Sequence, residues 1–151
     1  MSAGRFRRIE LVRGAWGAAL LVAPQQVLGT VHNVKVDTKA VVVARILGAR
    51  QLTQAVLSGF RPTAEVLAMG VWVDSLHALT ALGLAVVDRS RVRAGITDTA
   101  IAAVWGAAGY RDLVHSEPTS PSHQRIRDKL ARAVLSVVPG GQFLRSRVYR
   151  G

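Results

Sequence analysis

Arg45, Arg50, Asp74 and His77 carry the strongest chemical signal in this chain, because each interrupts a stretch that is otherwise apolar. The two arginines fall within residues 40–59, and the aspartate and histidine within residues 64–87. Ionisable groups in such segments pair with one another or serve a proton relay, an anion or headgroup pocket, or a ligand site between helices. His77 lies three residues from Asp74, on the same helical face, and is the side-chain type that titrates near neutral pH. The competing reading is a salt bridge that fixes helix pairing and does nothing else.

Only Phe60, Arg61, Pro62 and Thr63 separate the two segments, so they form a tight antiparallel hairpin. Counting outward from the loop at 1.5 Å per residue puts Arg50 and Asp74 within about 2 Å of the same depth. Arg45 comes level with His77. A lone Arg or Asp at a helix centre costs about 2.5 to 3.5 kcal/mol on insertion scales, so an Arg50–Asp74 ion pair is the expected arrangement. Gln54 shares the Arg50 face, and with Asp98 it is the expected supporting polar residue. Asp74 and His77 supply two metal ligands, short of a zinc site. No metal and no cofactor are expected.

Other chemistry is thinly represented. The sequence has no Gly-rich phosphate loop, HExxH pair or GxSxG elbow. Ser75 sits about 100° around the helix from Asp74, which offers no activated nucleophile. With no cysteine, thiolate chemistry and Cys-based zinc sites are excluded. His32, His115 and His123 fall in polar stretches and are expected to be solvated. The chain is not expected to be an enzyme.

The elements that must position these residues are helical. Half of the 151 residues are hydrophobic and 19% are charged, with a mean hydropathy of +0.26. The apolar content is mostly Ala, Val, Leu and Gly, which suits close helix–helix approach in lipid. Four helices are expected, over about residues 11–31, 40–59, 64–87 and 94–110. Pro24 kinks or ends the first. Glu10 and Arg13 interrupt any secretory leader, so an uncleaved helix is expected. In the fourth, Gly95, Thr99, Ala103 and Ala107 make a stripe of small residues suited to a neighbouring helix; a membrane-surface helix is the alternative. A Ser/Pro-rich linker at 114–122 leads to a basic tail at 123–151. In that tail Ile126, Leu130, Val134 and Val137 share one face, while Arg125, Lys129 and Arg132 lie on others. Its apolar face is read as adhering to anionic lipid, or else as docked on the protein's own loops. Pro139, Gly140 and Gly141 end this helix, and a basic coil with Arg145, Arg147 and Arg150 follows.

Twenty basic residues against nine acidic ones give a net charge of +11. They cluster at the ends of apolar runs, as in Arg5, Arg7 and Arg8 or Arg89, Arg91 and Arg93. That placement fits basic flanks on an anionic inner leaflet and disfavours nucleic acid as partner. Both termini are then cytoplasmic and the number of crossings is even. Charge alone favours two crossings, which leave only Arg61 outside. Four crossings put Arg89, Arg91 and Arg93 outside, yet they bury the apolar surface of the first and fourth segments, and four is the expectation.

Several motifs are familiar together: Pro24 after the first helix, Arg-x-Leu-Gly-Ala-Arg-x-Leu at 45–52, Val-Asp-x-Leu-His-Ala at 73–78 and Arg111-Asp112. Over residues 9–113 the chain resembles the small four-helix integral membrane proteins of unknown function found in bacteria with GC-rich genomes. The resemblance implies architecture and no activity, and it does not extend to the tail. The expected fold is therefore all-α: a small polytopic transmembrane bundle over residues 1–113, followed by a basic amphipathic helix. The expected location is the cell membrane, multi-pass. The expected role is a non-catalytic accessory or scaffold component of a larger membrane complex or homo-oligomer. One alternative is a small proton- or anion-linked transporter using Arg50, Asp74 and His77. Another is a binder of anionic lipid headgroups or nucleic acid acting through the tail.

Overall fold

A computed structural model describes residues 7–33, 36–59, 62–116 and 125–148. All regular structure among them is helical: α1 (Arg8–Val22), α2 (Pro24–Val27), a π-helical turn (Leu28–His32), α3 (Thr38–Gly59), α4 (Ala64–Val87), a 3-10 turn (Arg89–Arg91), α5 (Val92–Val114), α6 (Ile126–Val137) and α7 (Gly141–Val148). The tip of the α3–α4 loop at Phe60 and Arg61, most of the Ser/Pro-rich stretch with His123, and Arg150 lie outside the described residues. Two units divide the chain: Met1–Arg61 with Ala81–Asp98, and Pro62–Thr80 with Thr99–Gly151.

The first unit is built on α1 against α3. Pro24 explains where α1 stops, since a proline disfavours helical backbone in the residue before it, and Ala23 has left the helix at φ −130°, ψ 52°. The chain turns through α2 and the π-helical turn, which closes on Asn33. That residue is left-handed at φ 50°, ψ 45°, and its N–H donates to the Leu28 carbonyl; Asn is among the few side chains that tolerate this backbone. Asp37 then starts α3 by accepting the Ala40 N–H at 2.7 Å, as an N-cap aspartate does. α1 and α3 run antiparallel, with the Arg7 N–H donating to the Gly59 carbonyl at 3.2 Å. Where they cross, Gly17 meets Gly48 so closely that a Cβ on Gly48 would lie 2.7 Å from the Gly17 carbonyl oxygen. The buried seam of α3 reads Ala40, Ala44, Gly48, Gln51, Ala55 and Ser58, small residues apart from Gln51, which permit this approach. Glu10 and Arg13 are both buried; Glu10 pairs with Arg7 at 2.6 Å and with Arg13 at 3.1 Å.

In the same unit the start of α5 packs on the end of α4, where a Cβ on Gly95 would lie 2.6 Å from the Ala81 carbonyl oxygen. Thr99 continues this face in the second unit by donating to the Ala78 carbonyl at 3.3 Å. The stripe then departs from the expected fourfold spacing. Ala103 and Ala107 are exposed, and Ala102, Gly106, Gly109 and Leu113 are the inward positions. The steps 95, 99, 102, 106, 109 and 113 alternate four and three, the 3.5-residue period of helices that coil about a neighbour.

The second unit has its core at Ala64, Leu67, Ala68 and Val71 of α4, with Leu113, Leu135, Leu144 and Val148. α6 docks here through Asp128, Ala131 and Leu135, and not through its apolar face, the docked alternative. That face is turned outward, with Ile126 78% and Val137 81% exposed. Asp128 accepts from the Thr63 hydroxyl at 2.7 Å and from the Arg125 N–H at 2.9 Å, while Arg132 reaches Glu65 at 3.4 Å. The expected C-terminal coil is instead α7. Gly140, at φ +75°, takes a backbone that glycine adopts without strain, and the chain resumes a helix at Gly141. The Trp72 indole N–H donates to the Pro139 carbonyl at 2.9 Å and ties this turn down.

Two helices, rather than four, have the length and hydropathy of a membrane crossing among the described residues: α3 with 22 residues and α4 with 24. α1 has 15 residues, about 22 Å of helix against a hydrocarbon core of about 30 Å.

Candidate functional site

The residues expected to form a buried cluster are spread over both units. Arg45 is exposed on α3, contrary to its expected burial. Arg50 and Gln54 are half-buried on α3 in the first unit, and Asp74 and His77 lie on α4 in the second. Asp74 is 1% exposed. Gly106 of α5 packs against it, where a Cβ would stand at an ordinary contact distance of 3.7 Å from the Asp74 Cβ. His77 is half-buried, and Arg50, Gln54, Asp74 and His77 each have a partner. Ser75 is exposed. In the tail, Arg125 and Lys129 are exposed, whereas Arg132 is drawn in toward Glu65.

His32, expected to be solvated, is instead held in a polar site. It closes the π-helical turn and is 3% exposed. Its Nε2 lies 3.0 Å from Asp98 Oδ1 on α5, and its Nδ1 lies 3.4 Å from the Val27 carbonyl oxygen. The Trp16 ring stands beside it, centroid to centroid 6.1 Å. Both ring nitrogens face acceptors, and only the imidazolium can donate from both. The Asp98 hydrogen bond raises the His32 pKa above its ordinary value; Asp98's charge and the Val27 carbonyl add to this, and burial opposes it. Sequence spacing carried no sign of this pair, because 66 positions separate its members. The wide π turn is what swings the ring inward.

A cavity of about 290 Å³ opens beside the pair. Leu20, Leu28, Ala44, Leu47 and Leu84 wall it, and His32, Asp98, Asp37, Ser90 and Arg91 form its polar end. Arg91 lies 3.7 Å from Asp37 and 3.4 Å from Asp88. Asp88 also organises the turn between α4 and α5, accepting the Ser90 N–H at 2.9 Å and its hydroxyl at 2.6 Å. The Ser90 hydroxyl bond is the first cause of a lowered Asp88 pKa.

No known protein family, curated protein or solved structure matches the chain. The likeness to small four-helix bacterial membrane proteins therefore rests on the sequence motifs alone. Gly48, inside the Arg-x-Leu-Gly-Ala-Arg-x-Leu motif, has a definite structural task at the crossing with Gly17.

Chemically, the site can hold a proton on His32, orient a polar group through Asp98 and Arg91, and enclose an apolar body. The described residues contain no group of three side chains able to hold a metal ion.

Proposed function

We propose that this protein is a membrane-embedded, non-catalytic component, an accessory or scaffold subunit whose polar pairs fix helix packing. The observation that carries the reading is the outward apolar surface of α3 and α4. Within their most apolar 18-residue windows only 28% and 22% of residues are buried. Ile46 and Val56 on α3, and Leu79 and Val86 on α4, are all exposed. A core helix of a water-soluble protein buries such residues; helices of spanning length that leave them outside suit lipid or a helical partner. The buried ionisable groups support a structural role: Glu10 with Arg7 and Arg13, and His32 with Asp98, pair inside the first unit, and Asp128 with Thr63 inside the second.

With α3 and α4 as the crossings, the α3–α4 loop and the Arg89–Arg91 turn stand at opposite membrane faces, and Arg7, whose N–H donates to the Gly59 carbonyl, stands at the face of the loop. The test is purification from detergent-solubilised membranes with a C-terminal affinity tag. A scaffold subunit brings a stoichiometric partner or a second copy of itself; a protein recovered alone and monomeric under mild detergent ends this reading.

A second reading concerns the tail. The exposed Ile126, Leu130, Val137 and Phe143 lie near Lys129, Arg125 and Arg147 on α6 and α7. An apolar stripe flanked by cations suits the surface of an anionic leaflet. Bimane attached at Leu130→Cys in the full chain reports this directly. Its emission should shift blue in vesicles containing phosphatidylglycerol and stay unshifted in pure phosphatidylcholine; equal spectra reject lipid adhesion.

A further inference from the structure

The cavity beside His32 has a composition that goes beyond helix packing. The geometry points to a binding site for a neutral single-chain amphiphile with a hydroxyl head, such as a long-chain alcohol or a monoacylglycerol. Its walls are aliphatic, from Leu20, Leu28, Ala44, Leu47 and Leu84. Leu20 and Leu28 are buried at its base, while Leu84 and Val43 line it from exposed positions, so it is an apolar cleft that a chain can enter from the surface.

Charge balance selects the head. The charged lining consists of two opposite-sign couples, His32 with Asp98 and Arg91 with Asp37. A full charge on the ligand would stand unmatched beside the largely buried His32–Asp98 couple, which is costly. Hydrogen bonding narrows the choice further. His32 directs both ring nitrogens at acceptors within the protein, so it has none to spare. Asp98 keeps a second carboxylate oxygen and is partly exposed, which calls for a donor. Arg91 keeps N–H groups beyond its long contacts to Asp37 and Asp88, which call for an acceptor. A hydroxyl is both; an ester or ketone only accepts.

Size sets the chain. A cavity of roughly 150 Å³ accepts one benzene ring, so 290 Å³ suits a body of about twelve carbons. The polar end lies at the start of α3, where Asp37 caps the helix, and the walls run along α3 to Leu47. Ten residues of helix are about 15 Å, the reach of such a chain.

Trp16, packed against the apolar cluster of Leu20 and Leu28 and beside His32, is a built-in reporter. The full-length protein carrying Trp72→Phe and Trp105→Phe, in phosphatidylcholine nanodiscs, is titrated with ω-bromoundecanol. Saturable quenching of Trp16 is expected, reversed by excess unbrominated undecanol and abolished by Val43→Phe with Leu84→Phe. Those two side chains line the cavity from exposed positions, so the fillers need not disturb the core. The brominated carboxylate and amine of equal length should bind at least about tenfold more weakly. Nanodiscs made with brominated acyl chains separate the sources. Quenching there that undecanol relieves means that membrane lipid occupies the site in the resting state; its absence means that the ligand arrives as a free amphiphile. Quenching that rises linearly with added alcohol, or that excess undecanol fails to reverse, overturns the site whether or not the filled variant folds. Equal affinity for the charged analogues overturns the neutral head.

Discussion

Gly17 and Gly48 meet with their backbones in contact: a Cβ on either would fall 2.9 or 2.7 Å from the other's carbonyl oxygen. Nothing flexible stands between them, so an added side chain must separate α1 from α3. Gly48→Ala should destabilise the protein by about 1–3 kcal/mol, and Gly48→Leu should abolish the pairing. Gly83, around which a Cβ would meet nothing within 4 Å, is the control. Thermal unfolding in detergent, followed by circular dichroism, separates the three variants; a Gly48→Ala protein as stable as the parent rejects the close crossing.

The His32–Asp98 pair should make stability depend on pH in a definite direction. The folded-state pKa of His32 is raised, so the folded state holds its proton more tightly than the unfolded chain does. The stabilisation is complete below the ordinary histidine value of about 6.5 and is lost as pH rises through the folded-state value. Melting temperature should therefore fall from pH 6 upward over this window. Asp98→Asn should flatten the dependence, since it removes the largest cause of the shift. An Asp98→Asn profile parallel to that of the parent contradicts the pairing.

Membrane topology can be read with single cysteines, because the chain has none of its own. Arg61→Cys should react with an impermeant maleimide added outside intact cells. Arg91→Cys should react only after the membrane is opened, if α3 and α4 are the two crossings. Labelling of Arg91→Cys from outside restores the four-crossing arrangement.

The attachment of α6 rests on Asp128 and Leu135, both fully buried. Leu135→Ala should cost about 2–5 kcal/mol. Thr63→Val removes the hydroxyl that donates to Asp128 at 2.7 Å and should cost about 1–3 kcal/mol, the penalty for a buried acceptor that loses a donor. Either change should speed hydrogen exchange in α6 and α7 more than in α1. Uniform acceleration along the chain would mean that the tail is not separately anchored.

Asp74 distinguishes scaffold from carrier. It is buried and engaged, so in a scaffold Asp74→Asn should lower the amount of protein accumulating in the membrane. In a proton- or anion-linked carrier the same variant should accumulate normally and lose flux in proteoliposomes. Quantitative blotting beside a flux assay tells them apart.

The two long apolar helices were legible because period and length are local properties: α4 runs from Ala64 to Val87, the span its apolar stretch marked out, and Pro24 ended α1 through sterics with its neighbour. Helix α7 was hidden because a glycine pair reads equally as a stop or as a turn into a new helix. Packing on Leu135 and the Trp72–Pro139 bond favour the turn. The tail's amphipathic pattern is present in α6, but which residues attach the helix to the protein was not legible. The pattern registers apolar side chains, whereas α6 is held by Asp128, Ala131 and Leu135.

What the sequence determined by itself is an all-helical chain with two long apolar helices, a proline break and a strongly basic surface, since composition and spacing along one helix suffice for each. Only the tertiary structure decided which polar residues become buried and with whom. His32 and Asp98 are 66 positions apart and meet because a π turn and the start of α5 deliver them to one place. Arg45 shares its helix with Gly48 yet faces outward. Burial depends on which face a neighbour covers, and that is settled by where glycines let backbones touch.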